Sequence, residues 1–114
     1  MIAVIFEVLP TVAGKEEYLA IAARLKERLM EVPGFISIER FQSLADERKI
    51  LSLSFWESED AIERWRNLEV HRAAQSRGRA ALFADYRIRV GGIVRDYSMA
   101  RRAQAPDDSK AVQD

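Results

Sequence analysis

The first strand-like segment is apolar on both of its alternating sides, and this constrains the fold more than any other feature. In Ile2–Leu9, the residues Ile2, Val4, Phe6 and Val8 share one side, and Ala3, Ile5 and Leu9 the other, with Glu7 among the second set. Successive strand side chains point to opposite faces, so such a strand must be covered twice. A monomeric antiparallel sheet normally covers one face and wets the other. The same doubling recurs. Ile50–Trp56 sets Leu51, Leu53 and Phe55 against Ile50 and Trp56, and Phe35–Ser43 sets Ile36 and Ile38 against Phe35 and Phe41.

Between these strands the apolar period changes. Tyr18, Ile21, Ala22, Leu25, Leu29 and Val32 recur every three or four residues, which predicts an amphipathic helix over Lys15–Val32 that stops at Pro33-Gly34. A polar turn, Ala45–Arg48, joins the second and third strands as a hairpin. Ser58-Glu59-Asp60 caps a second helical region that reaches about Phe83, with a break expected near Asn67-Leu68-Glu69. A last strand is expected over Tyr86–Tyr97, with Gly91-Gly92 in its middle suggesting a bulge or a close backbone approach.

The resulting order, strand–helix–strand–strand–helix–strand, is that of a ferredoxin-like α+β fold. It predicts a four-stranded antiparallel sheet with both helices on one face. Residues 1–98 form this domain, and residues 99–114 read as a flexible polar tail. The second face remains apolar over more area than a monomer exposes, and the tail is too polar to cover it. A second copy packed sheet on sheet, a homodimer, is the expected cover.

Composition narrows the chemistry. Eighteen Lys and Arg balance eighteen Asp and Glu, so a phosphate-neutralising surface and a nucleic-acid partner are not expected. The absence of cysteine removes disulfides, thiolate metal sites and cysteine nucleophiles. Ile2–Leu9 is too short, and interrupted by Glu7, to be a membrane span or signal segment, which makes the cytoplasm the expected compartment.

Few polar groups are left to carry a reaction. His71 is the single histidine, suited to moving a proton or ligating haem iron alone, but equally at home as a structural residue. No paired-histidine metal spacing exists. Glu7 is either a carboxylate made basic by an apolar strand face or one paired with Arg40, Arg87 or Arg89. Trp65 falls on the inward stripe with Ile62 and Leu68, about 120° from His71 if the helix is continuous. A break near Asn67 is required to turn both toward one pocket. The arginines of the final strand, Arg87, Arg89 and Arg95, read as a solvated face.

The segment Leu51-Ser-Leu-Ser-Phe-Trp-Glu-Ser-Glu-Asp-Ala-Ile-Glu-Arg-Trp-Arg, followed by Glu69-Val-His-Arg-Ala-Ala-Gln, resembles the antibiotic biosynthesis monooxygenase family. So do Pro33-Gly34-Phe35 and Tyr86-Arg-Ile-Arg-Val, so that the resemblance spans residues 2–97. It implies a dimeric α+β barrel and oxygenation of small electron-rich aromatics, such as quinols or anthrones, without metal or flavin. One branch instead cleaves haem with an Asn–Trp–His set. This sequence departs from that branch, with Glu7 in the first-strand slot and a shorter Trp65–His71 spacing.

For a cofactor-free oxygenase the resemblance implies His71 as the base, assisted by Trp65 and Glu7. Phe55 and Phe83 join Trp65 as pocket walls, and Arg40 or Asn67 is the donor to a developing oxyanion. Three classes of function follow: this monooxygenase acting on a small aromatic substrate with O2, a haem-binding or haem-degrading protein with His71 as proximal ligand, and a non-catalytic dimeric ligand-binding domain.

Overall fold

The computed structural model describes residues 1–73 and 82–110, and only the backbone over 69–73. The order is β1 (Ile2–Pro10), α1 (Lys15–Leu29), β2 (Phe35–Gln42), β3 (Ile50–Trp56), α2 (Glu59–Ala73), β4 (Phe83–Gly92) and a single helical turn, α3 (Asp107–Lys110). The four strands form one sheet in the order β2-β3-β1-β4, every neighbouring pair antiparallel. This is the ferredoxin-like α+β arrangement that the sequence predicts.

Register turns the alternation of β1 into two defined faces. On the helix side, cross-strand rows run Ile38–Ser54–Val4–Val90, Arg40–Ser52–Phe6–Ile88 and Gln42–Ile50–Val8–Tyr86. On the open side they run Ser37–Phe55–Ala3–Gly91, Glu39–Leu53–Ile5–Arg89 and Phe41–Leu51–Glu7–Arg87. The helix side holds two core clusters. One joins Leu29, Val32, Trp56 and Ala61, with Ile2, Val4, Phe35, Ile38, Ile62 and Trp65 packed on it. The other joins Val8, Tyr18 and Ile50, with Phe6 and Phe83 packed on it. Within the first, the Trp56 indole N–H donates to Ser54 Oγ at 2.9 Å, which satisfies the one polar atom that a buried tryptophan carries.

The ends of the elements differ from the sequence expectation for identifiable reasons. Helix α1 closes at Leu29, because Val32 N–H turns back to Leu29 O at 3.0 Å and the chain then reverses at Gly34, where φ is 90°. Helix α2 starts as expected, with Ser58 Oγ accepting from Ala61 N–H at 3.3 Å. It then runs without a break through Asn67-Leu68-Glu69 to Ala73, because nothing in that polar run interrupts backbone bonding. The rest of the second helical region, residues 74–81, lies outside the described residues.

Phe83 opens β4 rather than closing a helix, and β4 ends at Gly92 rather than Tyr97. The register irregularity falls at Leu9/Pro10, where proline has no N–H to give, and not at Gly91-Gly92, around which space is open. A second irregularity between Phe35 and Ser37 brings Phe35 onto the helix side with Ile38, its ring 5.2 Å from that of Trp56. Beyond β4, Ile93 N–H still reaches Met1 O at 3.0 Å. The tail is organised by turns, with Arg102 stacked 5.6 Å over Tyr97 and Ala105 buried. Residues 111–114 are outside the described residues.

Gly34 is where β2 meets α2. A Cβ there would lie 2.7 Å from that of Ala61, a residue with no solvent exposure, on a backbone that favours glycine. Gly34→Ala is expected to cost about 2 kcal/mol in urea unfolding. Gly92→Ala, which meets nothing within 4 Å, should stay within about 1 kcal/mol of the parent.

Candidate active site

The helix side of the sheet is incompletely filled, and the unfilled part lies over β1 and β4. Tyr86, Ile88 and Val90 point to this side by register, yet each keeps about half its surface, at 58%, 53% and 50%. Fully packed core residues of a small domain keep a few per cent. Together with Val4 and Phe6 they form an apolar strip at the sheet's edge that follows the strands for about 14 Å, four residues at the strand rise. Its Val8 end is walled by aromatic rings meeting edge to face: Phe6–Phe83 at 5.9 Å, Phe6–Tyr86 at 5.8 Å, Phe83–Tyr86 at 6.1 Å and Tyr18–Phe83 at 5.4 Å. Such contacts fix ring orientation as well as excluding water. Its other end is bounded by Ile2, Val4 and the part-buried Trp65 of α2.

Polar groups on this side are sparse. Ser52 and Ser54 of β3 are each 6% exposed. Arg40, one strand further out and directly opposite Ser52, is part-buried, and its Nε is shielded from solvent with no hydrogen-bond partner. A separate cleft of about 330 Å3 lies between the end of α1 and α2, lined by Arg28, Glu31, Val32, Pro33, Arg64, Trp65 and Leu68. Arg64 closes part of it by donating to Pro33 O at 3.3 Å.

The residues singled out in the sequence divide between the two faces. Trp65, Phe83 and Arg40 lie on the helix side. Phe55 and Glu7 lie on the open side, because the alternation that turns Phe6 inward turns its neighbour Glu7 outward and sets Phe55 opposite Ala3. Glu7 Oε2 stands 3.5 Å from the Arg89 guanidinium and 3.7 Å from Lys49 Nζ. Of the two readings of this carboxylate, the geometry matches the ion pair, with Arg89 as one partner and Lys49 as a second that the sequence reading did not name.

Asn67 and Leu68 are exposed on α2. Position 71 is on the last described turn of the same helix, and the side chain of His71 is outside the described residues. With no break, positions 65 and 71 diverge by about 120°. Phe6, Tyr18, Tyr86 and Ile88 were not anticipated as site residues. Their signal was present in the alternation of Tyr86, Ile88 and Val90 beside arginines, which shows that β4 has one apolar face. Among the described residues no group of His, Asp or Glu is placed to hold a metal, and no helix is long and apolar enough to cross a membrane.

Comparison with known proteins agrees with this architecture. The profile of the family described as antibiotic biosynthesis monooxygenase matches residues 1–77, and the chain belongs to that family. A protein of Pyricularia oryzae named jasmonate monooxygenase ABM is 40% identical over 119 residues, which cover 98% of this chain and 55% of the relative. The chain thus spans about half the length of that relative. Among solved structures, the haem degrader MhuD of Mycobacterium tuberculosis superposes with a TM-score of 0.68 at 17% identity, covering 86% of this chain and all of that one. SnoaB of Streptomyces nogalater, a cofactor-independent oxygenase, superposes at 0.67 with 15% identity, covering 83% and 94%. At these identities the two structures establish the shared fold.

The outward position of Glu7 has a measurable consequence. Its partners are both substantially exposed, so Glu7→Gln should change stability in urea unfolding by no more than about 1 kcal/mol.

Proposed function

We propose that this chain is a cofactor-independent monooxygenase that oxidises a small, electron-rich aromatic of the quinol or anthrone kind with O2. The reaction takes place on the helix side of the β1–β4 half of the sheet. The observation that carries this reading is the apolar strip along β4: a surface edged by aromatic rings and left half exposed on the helix side of the sheet, in a chain that belongs to a monooxygenase family. The name of the Pyricularia oryzae relative supports oxygenation of a small organic molecule.

Such a site needs little polar machinery. A base removes a proton from the ring system, and the resulting carbanion or phenolate is electron-rich enough to reduce O2 by one electron. In the anthrone case a CH2 becomes C=O and one water is released, so the substrate itself supplies all four electrons that O2 accepts. The protein's part is to keep the anion dry against Phe6, Phe83 and Tyr86. His71 is the base in this reading, as the one histidine of the chain and the side chain that titrates nearest neutrality. Asn67, exposed one turn before it, is the donor closest along α2.

Haem is the cofactor of the alternative reading, and the described residues do not fit its degradation. The first-strand residue Glu7 is ion-paired on the opposite face, and Trp65 is committed to the Ile2–Val4 core cluster on an unbroken helix.

We further infer that the open face is covered by a second copy of the chain. The molecule exposes 8544 Å2, against about 6,300 Å2 for a compact monomer of 13.0 kDa. The difference is what one protomer of a stable dimer buries. The open face carries Ile5, Leu51, Leu53 and Phe55 at its centre, with no described helix over them. Leu53→Arg is expected to turn a dimer into a monomer in sedimentation velocity, and a parent chain that is monomeric at every concentration would overturn the inference. For the chemistry, His71→Ala should lower oxygen uptake on anthrone by about 10²–10⁴-fold. Unchanged uptake in that variant removes His71 from the base role.

A further inference from the structure

Resting on the reading that a second copy covers the open face, we propose how that copy is oriented. The two-fold axis runs along the strands, so that β2 of one protomer lies over β4 of the other and Glu39 meets the partner's Arg87 and Arg89. The charge pattern of the face carries the argument. One cross-strand row runs Glu39–Leu53–Ile5–Arg89 and the next Phe41–Leu51–Glu7–Arg87. In these rows the one charge on β2 is an acid, and the charges on β4 are both basic. Glu7 is taken by Arg89 and Lys49 of its own chain. Glu39 and Arg87 are exposed and form no ion pair among the described residues. They cannot reach each other within one chain, because three strand spacings, about 14 Å, separate the two margins.

Aligned packing of two sheets leaves two choices of two-fold axis, across the strands or along them. An axis across the strands sets every strand over its own copy, and the row it crosses meets itself. Glu39 and Arg89 then each face their own kind in one register, and Glu7 and Arg87 do so in the next. Like charges juxtaposed at an interface oppose association. An axis along the strands exchanges the margins instead, so that β2 faces β4 and β3 faces β1, twice over by symmetry. Glu39 then falls opposite the partner's Arg89, and Phe41 opposite the partner's Arg87, a pairing of ring with cation. Leu53 meets the partner's Ile5, and Leu51 meets the partner's Glu7, whose charge is already balanced. In the third row, Ser37–Phe55–Ala3–Gly91, the large Phe55 meets the partner's Ala3 and Ser37 the partner's Gly91. Stacked sheets lie about 10 Å apart, a gap that a glutamate and an arginine reaching toward each other can span. The crossing angle of about 30° shifts the margins along the strand and brings both arginines near Glu39.

The test is rescue by charge exchange, read as the dimer dissociation constant of the full chain in sedimentation equilibrium. Glu39→Arg and Arg87→Glu should each weaken the dimer by roughly tenfold or more, since each creates two like-charge contacts. The double variant restores both contacts with their signs exchanged, and should return to within about threefold of the parent. A double variant no tighter than the singles would overturn the proposal. The chain has no cysteine, which allows a second measurement. Ser37→Cys and Gly91→Cys chains, mixed and allowed to exchange subunits, should be joined by a short bismaleimide only in the mixture. A Cβ at Gly91 meets nothing within 4 Å, so the substitution is tolerated. A mixture that cross-links no more than either variant alone would also overturn it. A parent chain that is monomeric at every concentration removes the covered face itself, whereas a dimer without rescue and without mixed cross-links removes only its orientation.

Discussion

The hydrogen-bonded placement of β1 between β3 and β4 is the constraint on which the rest of the molecule depends. A central strand with two antiparallel neighbours cannot slip by one residue without turning its whole apolar set over. Once Val8 and Phe6 are committed to the helices, Glu7 and Ile5 are committed to the far side. The positions of Ser52, Ile88, Arg89 and Leu53 follow from the pairing. The apolar strip along β4, the ion pair of Glu7 and the apolar open face are three consequences of one register.

The two faces then have different physical tasks. The helix side is closed at one end by Trp56, Ala61 and Leu29 and at the other by Tyr18, Val8 and Ile50, while Tyr86, Ile88 and Val90 of β4 keep about half their surface. The open side has no comparable covering from the described helices. A single domain of this length cannot close both faces of a four-stranded sheet with two helices, because the helices pack on the same side. The proposed site and the proposed interface are therefore back to back, separated by one layer of backbone.

Much of this was legible in the sequence. The strand order, the two-sided character of β1 and the hairpin at Ala45–Arg48 follow from period and turn chemistry, and the Ser58 cap follows from helix-end chemistry. The faces of Glu7 and Phe55 were legible too, since both sit out of phase with the inward residues of their own strands, but their treatment as pocket residues set that alternation aside. Other features were hidden for physical reasons. The irregularity that brings Phe35 inward shifts phase within a strand, which no alternation pattern displays. The continuity of α2 through Asn67 is decided by backbone bonding, to which asparagine is only mildly unfavourable. The half-empty state of Tyr86, Ile88 and Val90 depends on where helices end in space, a property of packing rather than of any one residue.

Both lateral margins of the sheet are defined by β2 and β4, and each carries charge along its length: Glu39 and Arg40 on one, Arg87 and Arg89 on the other. Unpaired strand margins invite further strands, and charged side chains along them make that addition unfavourable. Of the strands apolar on both sides, β1 and β3 lie in the interior, and β2 at the margin is the one that carries Glu39 and Arg40. The sheet is thus closed to sideways growth while its flat apolar face stays open, so copies of this chain can meet by stacking but not by lengthening a ribbon. A sequence this rich in strand-forming apolar residues is in this way steered away from fibre growth.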